Sequence, residues 1–142
     1  MNDPYNLQRF VDAQDGVFAG ALSELRVGRK QSHWMWFIFP QLAGLGRSPT
    51  AQFYGIDSAD EARAYLEHAL LGSRLRQSVE ALLPWARQRT AEQIFGPIDA
   101  LKLRSCLTLF DAIGPQSVFG KALAAFYDGP DEHTLALLSQ SR

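Results

Sequence analysis

Ser32–Gln41, SHWMWFIFPQ, is the stretch whose reading decides the fold. Trp34 through Phe39 are apolar without a break, and Pro40 stops the run, so neither the helical nor the strand period is visible. Two readings stay open: a short helix ending before the proline, which cannot continue one, and a buried strand. The choice decides where side chains go. On a strand Trp34 and Trp36 share one side, with His33 and Met35 on the other, whereas on a helix the two tryptophans diverge. Phe37, Ile38 and Phe39 are assigned to the core, as large apolar side chains usually are.

Working outward, helical spacing dominates. Leu7, Phe10, Val11 and Gln14 recur at the three-and-four interval, with Asn6 as the expected N-cap and Asp15-Gly16 as the break. Val17, Ala21, Leu22 and Leu25 follow, ending at Gly28 as the C-cap residue. Ser48-Pro49 has the pattern of an N-cap followed by proline at the first helical position, opening a short turn over Ala51 to Tyr54. Ser58-Ala-Asp-Glu61 and Thr90-Ala-Glu-Gln93 both read as capping boxes. The first starts a helix burying Ala62, Tyr65, Leu66 and Ala69, which Gly72-Ser73 should end while capping the next, through Leu75, Val79 and Leu82. The second opens a short element that stops at Phe95-Gly96-Pro97. Later helices carry Leu103, Cys106, Leu107 and Phe110, then, after Gly114-Pro115, Phe119, Ala122, Leu123 and Phe126, and finally, after Asp128-Gly-Pro130, Leu135 and Leu138. The expected architecture is mainly α: one compact domain over residues 1–142, a bundle of about six to eight short helices with at most a minor strand near 34–39.

Composition narrows the class. A chain of 142 residues with 46% hydrophobic and 20% charged residues is an ordinary globular protein with material for one core. The single Cys106 cannot form an internal disulfide, which favours a reducing compartment. MNDPYNLQRF lacks the basic start and apolar core of a secretory signal, and no apolar run approaches the ~20 residues of a membrane helix. A cytoplasmic location without membrane contact is expected. The net charge of −1 gives no global attraction to nucleic acid, and none is expected as a partner.

The aromatic stretch is also the first candidate site, because tryptophan faces can stack on a base while nearby cations hold phosphates. Lys30, with Arg26 and Arg29, lies just ahead of it, and Gln41 bounds it. His33 is the histidine beside other candidate groups, a residue type suited to general acid–base work; His68 and His133 are read as solvated. No histidine pair has ligand spacing, so no metal site is expected, and no cofactor is implied. Gly44-Leu-Gly46-Arg47-Ser48 is a glycine-containing loop that lacks the spacing of known phosphate-binding fingerprints. Spacing brings Asp99, Lys102 and Ser105 together on the helix whose apolar face is Leu103, Cys106, Leu107 and Phe110, with Arg104 and Asp111 on its other sides. Cys106 belongs to the apolar set and reads as buried and inert.

DPYNLQRFVDAQ (3–14), SHWMWFIFPQLAGLG (32–46), ARAYL (62–66) and LKLRSCLTLF (101–110) closely resemble the bacterial family of unknown function DUF1810, across almost the whole chain. The resemblance implies a compact, mainly helical fold, called Rv1873-like, and no established activity. Some members carry the automatic label "calpastatin", yet nothing in this sequence looks like a disordered inhibitor repeat. The chain departs from the family pattern at His68-Ala69, where His-Pro is usual, and at Ser105-Cys106, where Ser-Ser is usual. A fainter similarity, of layout alone, is to the NADAR family of ADP-ribose-processing proteins, and it transfers no catalytic residue.

Two functions are therefore expected to compete. In the first, a binder or processor of a nucleotide-like, ADP-ribose- or NAD-type molecule stacks it on Trp34, Trp36 or Tyr54 and meets its phosphates with Lys30, Arg47, Lys102 and Arg104. If it is a hydrolase, His33 or Asp111 would activate water. A concave pocket should then lie where the aromatic stretch meets the Lys102 helix. In the second, an aromatic surface holds a protein partner without catalysis, and the patch should be flat.

Overall fold

A computed structural model describes residues 3–114 and 117–140, among which ten α-helices form. They are α1 (Gln8–Gln14), α2 (Phe18–Val27), α3 (Met35–Ile38), α4 (Pro49–Phe53), α5 (Ala59–Glu67), α6 (Ala69–Leu82), α7 (Ala91–Phe95), α8 (Pro97–Ile113), α9 (Val118–Phe126) and α10 (Glu132–Gln140), with a 3-10 turn at Leu83–Trp85 after α6. Ten replaces the expected six to eight, because single turns such as α3 and α4 register as helices of their own. The aromatic stretch is helical, and the strand reading near 34–39 is corrected. The described residues hold one isolated parallel bridge, Leu42 to Ile56, with backbone hydrogen bonds from Ala43 to Ile56 of 2.8 Å and from Ile56 to Gln41 of 3.0 Å. Proline 115, the expected break after Gly114, lies outside the described residues.

Local sequence accounts for most helix ends. Gly28 takes the left-handed conformation (φ 77°) that a glycine C-cap requires. Ser48 accepts a hydrogen bond from the Ala51 N–H with Pro49 in the first turn, and Thr90 with Gln93 forms a complete capping box. Three expectations are corrected. Asn6 is not the cap of α1; the Asp3 carboxylate reaches the N–H groups of Leu7 and Gln8 at 2.7 and 3.0 Å instead. The break between α5 and α6 falls at His68, whose Nδ1 accepts from the Leu70 and Leu71 N–H groups, both at 3.2 Å. Gly72 lies inside α6, where a Cβ would come within 2.1 Å of the Leu66 carbonyl oxygen, so its role is close approach of two helices. His68 is accordingly a half-buried cap, and Ala69 is exposed.

α8 is the central element, packed by α5, α7, α9 and α10, and α6 is packed by α2, α5 and α9. The unbroken buried run from Ser105 to Phe110 shows α8 enclosed on all sides there, well beyond the four-residue face that spacing indicated. Aromatic side chains link the layers: Phe10 meets Tyr65 edge-on at 5.1 Å, Tyr65 meets Phe110 at 5.5 Å, and Phe110 meets Phe119 at 5.7 Å. The Tyr65 hydroxyl is buried beside Gln14, whose amide donates to it at 3.2 Å and to the Phe37 carbonyl at 2.8 Å. Burial pushes the Tyr65 phenol well above its ordinary pKa, so it stays neutral. Burial likewise raises the Cys106 thiol and leaves it unreactive. No helix among the described residues is long and apolar enough to cross a membrane.

Two charged side chains organise the loops. Arg9 uses all five guanidinium N–H groups, reaching the carbonyls of Phe53, Tyr5, Asn6 and Gly55 and the buried Glu61 carboxylate at 2.8 Å. The other Glu61 oxygen accepts from the Asp57 N–H, so this glutamate serves the loop where the expected capping box would have it reach Ser58. Glu24 on α2 accepts from the N–H groups of Gln31 and Ser32 at 2.7 and 3.0 Å, from the Ser32 hydroxyl at 2.6 Å and from the Trp34 indole N–H at 3.0 Å. Partial desolvation acts to raise the Glu24 pKa, but the Ser32 hydroxyl, the two backbone donors and the indole outweigh it and hold the carboxyl at about 2.

Replacing Arg9 with alanine leaves Glu61 charged, buried and unpaired, so chemical denaturation should show a loss of about 3–5 kcal/mol. Arg9→Lys should recover little of it, because an ammonium cannot serve five acceptors in a fixed fork. The Glu24 carboxyl has a folded pKa of about 2 against an ordinary 4.5, so its contribution is complete above the unfolded value and is lost as pH falls through that interval. Urea midpoints should therefore separate wild type from Glu24→Gln at about pH 6, and the gap should shrink from about pH 4.5 downward and close only near pH 2.

Candidate functional site

Helical geometry divides the aromatic stretch. Successive helix residues turn by about 100°, so Trp34 and Ile38 share a side while Trp36 points away from both. Trp34 is 1% exposed and packed against Phe39 and Phe95, at 6.1 and 6.4 Å between ring centroids. Met35, Ile38 and Phe39 are buried with it, whereas Phe37 is half-buried against the core. Trp36 is half-buried on the outer side, where the Lys102 ammonium lies 3.9 Å from its ring centroid.

A cleft of about 350 Å3 opens at this contact. One wall is the face of α8 formed by Ile98, Leu101, Lys102 and Ser105, which share a side at the i, i+3, i+4, i+7 spacing. Gln41, Leu45 and Gly46 supply the second wall, next to Trp36, and Asp131 and His133 at the start of α10 supply the third. Ile98 and Leu101 are 69% and 65% exposed and lie side by side on this rim, while Val27, Phe53 and Leu70 are exposed elsewhere.

The electrostatics follow from three carboxylates already described or adjoining. Asp99 is shared: Lys30 lies 3.0 Å from one of its oxygens and Lys102 3.5 Å from the other. Lys30 also donates to the Ser32 carbonyl at 2.6 Å, so the Glu24 loop and the Asp99 pair are joined. Asp131 caps α10, its Oδ2 accepting from the Thr134 N–H at 2.9 Å and the Thr134 hydroxyl at 2.5 Å, with the Ser105 hydroxyl at 3.5 Å. Its own N–H donates to the Thr108 hydroxyl at 2.8 Å, which anchors the start of α10 to α8. Among the described residues no three His, Cys, Asp or Glu side chains gather as metal ligands would.

Of the residues singled out from sequence, the cleft gathers Trp36, Gln41 and Lys102, and exposed Arg47 adjoins it next to Gly46. The others sit elsewhere. Trp34 is 1% exposed, with the Lys30 ammonium 5.0 Å from its ring centroid, so neither ring face is open to a base. Tyr54 packs among Phe10, Phe37 and Phe53. Lys30 is committed to Asp99, and His33 is exposed outside the cleft. Arg104 donates to the carbonyls of Gly129 and Pro130, holding the turn into α10. Asp111 faces α9 at Gly120, where a Cβ would lie 2.7 Å from its carboxylate. His133, read as solvated, is exposed and lines the cleft. Asp131 was missed; its signal was its place three residues before Thr134, the spacing of an N-cap acceptor. Ile98 and Leu101 carried a signal too, being apolar positions off the α8 core face.

A larger concavity of about 490 Å3 lies beside Asp3, Tyr5, Glu67 and His68. Its Asp3 and His68 already cap α1 and α6, so it offers fewer free polar groups despite its size.

Comparison with known proteins agrees with this architecture. The chain is similar to the crystal structure of the conserved hypothetical protein Rv1873 from Mycobacterium tuberculosis, with 50% identity, a TM-score of 0.93, and coverage of 96% of this chain and 99% of that one. No curated protein matches it. The model of the DUF1810 family, described as a protein of unknown function, matches residues 4–138, and with nearly the full length covered the chain belongs to the DUF1810 family.

Proposed function

We propose that the cleft between α3, α8 and α10 binds a nucleotide-like small molecule of the AMP, ADP-ribose or NAD type. The observation that carries this reading is the Trp36–Lys102 pair, an aromatic face and a cation in one concavity. Such a face takes a base and such a cation takes a phosphate. Lys102 is free to change partners, because Asp99 keeps Lys30 at 3.0 Å when Lys102 leaves, so no carboxylate is stranded. The cation–π contact it gives up is worth about 1 kcal/mol at a partly exposed site, less than a charge-assisted hydrogen bond to phosphate returns. The lysine then meets the anion and the uncovered indole meets the base. His33 and Asp111, the sequence candidates for activating water, lie outside the cleft, so the reading is one of binding, with no catalytic group assigned.

The exposed Ile98 and Leu101 favour a second reading, contact with an apolar segment of a partner protein. The two part company in solution. Under the first, AMP or ADP-ribose raises the melting temperature and quenches tryptophan emission, Lys102→Ala weakens binding at least tenfold, and Trp36→Leu removes the quenching. Both side chains lie on the cleft wall, so the variants should melt within a few degrees of wild type. If neither nucleotide changes melting or emission at millimolar concentration, the first reading fails.

A further inference from the structure

We infer that Asp131 makes the cleft selective for a ribose: its free carboxylate oxygen accepts the 2′- or 3′-hydroxyl of the nucleotide-like ligand that Lys102 and Trp36 hold. The inference rests on that reading of the cleft and goes beyond it by assigning the specificity-determining residue and the sugar.

The two oxygens of Asp131 are unequal. Oδ2 is saturated by Thr134 and approached by Ser105, whereas Oδ1 has no hydrogen-bond partner among the described residues. No buried side-chain oxygen among those residues lacks a partner, so Oδ1 is open to solvent, and Asp131 lines the cleft. An ionised carboxylate only accepts, and an ammonium only donates. The cleft therefore presents a donor at Lys102 and an acceptor at Asp131, which together exclude an anion without an O–H, such as sulfate, filling both places. A ligand must bring an acceptor to one end and an O–H or N–H to the other. A second requirement comes from Oδ2 being occupied: one free oxygen cannot grip the paired N–H groups of a guanine edge, which need two. Single hydroxyls suit it.

Ser105, which contacts Asp131, is three residues from Lys102 on α8, so the acceptor and the donor lie along one face of the same helix. Position is fixed as well, since the N-cap bonds to Thr134 and the Thr108 bond to the Asp131 N–H hold the carboxylate without using Oδ1. Pre-set acceptors of this kind discriminate well, because an analogue lacking the hydroxyl leaves the desolvated charge unpaired.

Calorimetric titration of the full chain with AMP, 2′-deoxy-AMP, 3′-deoxy-AMP and inorganic phosphate tests the assignment. Wild type should bind AMP about tenfold more tightly than at least one deoxy form, and phosphate more weakly than any nucleotide. Asp131→Asn and Asp131→Ser both keep an N-cap acceptor for α10, so they should fold, keep binding deoxy forms and lose the preference. If neither variant folds, the side-chain carboxyl carbon resonance of Asp131 in wild type replaces them, moving with AMP and less with the deoxy form that binds weakly. Equal affinities for AMP and both deoxy forms in wild type, a preference that survives in the folded variants, or an Asp131 resonance indifferent to the sugar would overturn the assignment while leaving nucleotide binding intact. Absence of binding by every nucleotide overturns both.

Discussion

The position of one carboxylate governs the half of the molecule that carries the cleft. Glu24 collects four donors from three residues of the segment between α2 and α3, and in doing so fixes where the chain enters the core. With the Trp34 indole N–H bound, Trp34 is committed inward, and a single helical turn then sends Trp36 outward. The same segment carries Lys30 to Asp99, so the charge network on α8 is set by a residue on α2. An isolated indole N–H buried without an acceptor would cost on the order of 1–3 kcal/mol, and Glu24 removes that cost.

α8 extends the logic to the rest of the fold. From Ser105 to Phe110 it is enclosed, while its first turns leave Ile98, Leu101 and Lys102 on an open face. One helix thus serves as the core's axis at one end and as a wall of the cleft at the other. Ser105 and Thr108 lie at the transition, each bonding back to its own helix and each also touching Asp131, so the polar start of α10 is seated against α8 with no buried side-chain polar atom among the described residues left unpaired.

Much of this was legible in the sequence. Helix class, the core positions Phe10, Ala21, Leu25, Ala62, Tyr65 and Leu103, the glycine cap at Gly28 and the caps at Ser48, Ser58 and Thr90 follow from spacing and local chemistry, whereas Val11, Val17 and Leu66 are half-buried and Ala69 is exposed. The aromatic stretch was not, since a continuous apolar run has no period; tertiary burial of Trp34, Ile38 and Phe39 chose helix over strand. Gly72 was misplaced because glycine as a helix stop and glycine as a point of close approach look identical until the neighbouring Leu66 carbonyl is known. The site divided in the same way. Trp36, Gln41 and Lys102 stood out as unusual residue types near one another in pattern, but Trp34, Tyr54, Lys30 and Arg104 stood out equally and are spent on packing or on holding turns. Glu24, Arg9 and Asp131 act through partners 7 to 52 residues away or through a free oxygen, features no local window contains.

The bridge between Leu42 and Ile56 gives the cleft an uneven heritage. It ties the ends of a closed segment that contains α4 and brings Leu45 and Gly46 to the opening. Within that segment Gly46 lies against α4, where an added Cβ would come within 2.8 Å of the Ala51 Cβ. Changes of length or bulk inside the closed segment are thus felt at the mouth of the cleft before they are felt by α8. The molecule has in effect a replaceable rim on a fixed floor, so relatives sharing the whole core can diverge in what they admit by altering about a dozen residues.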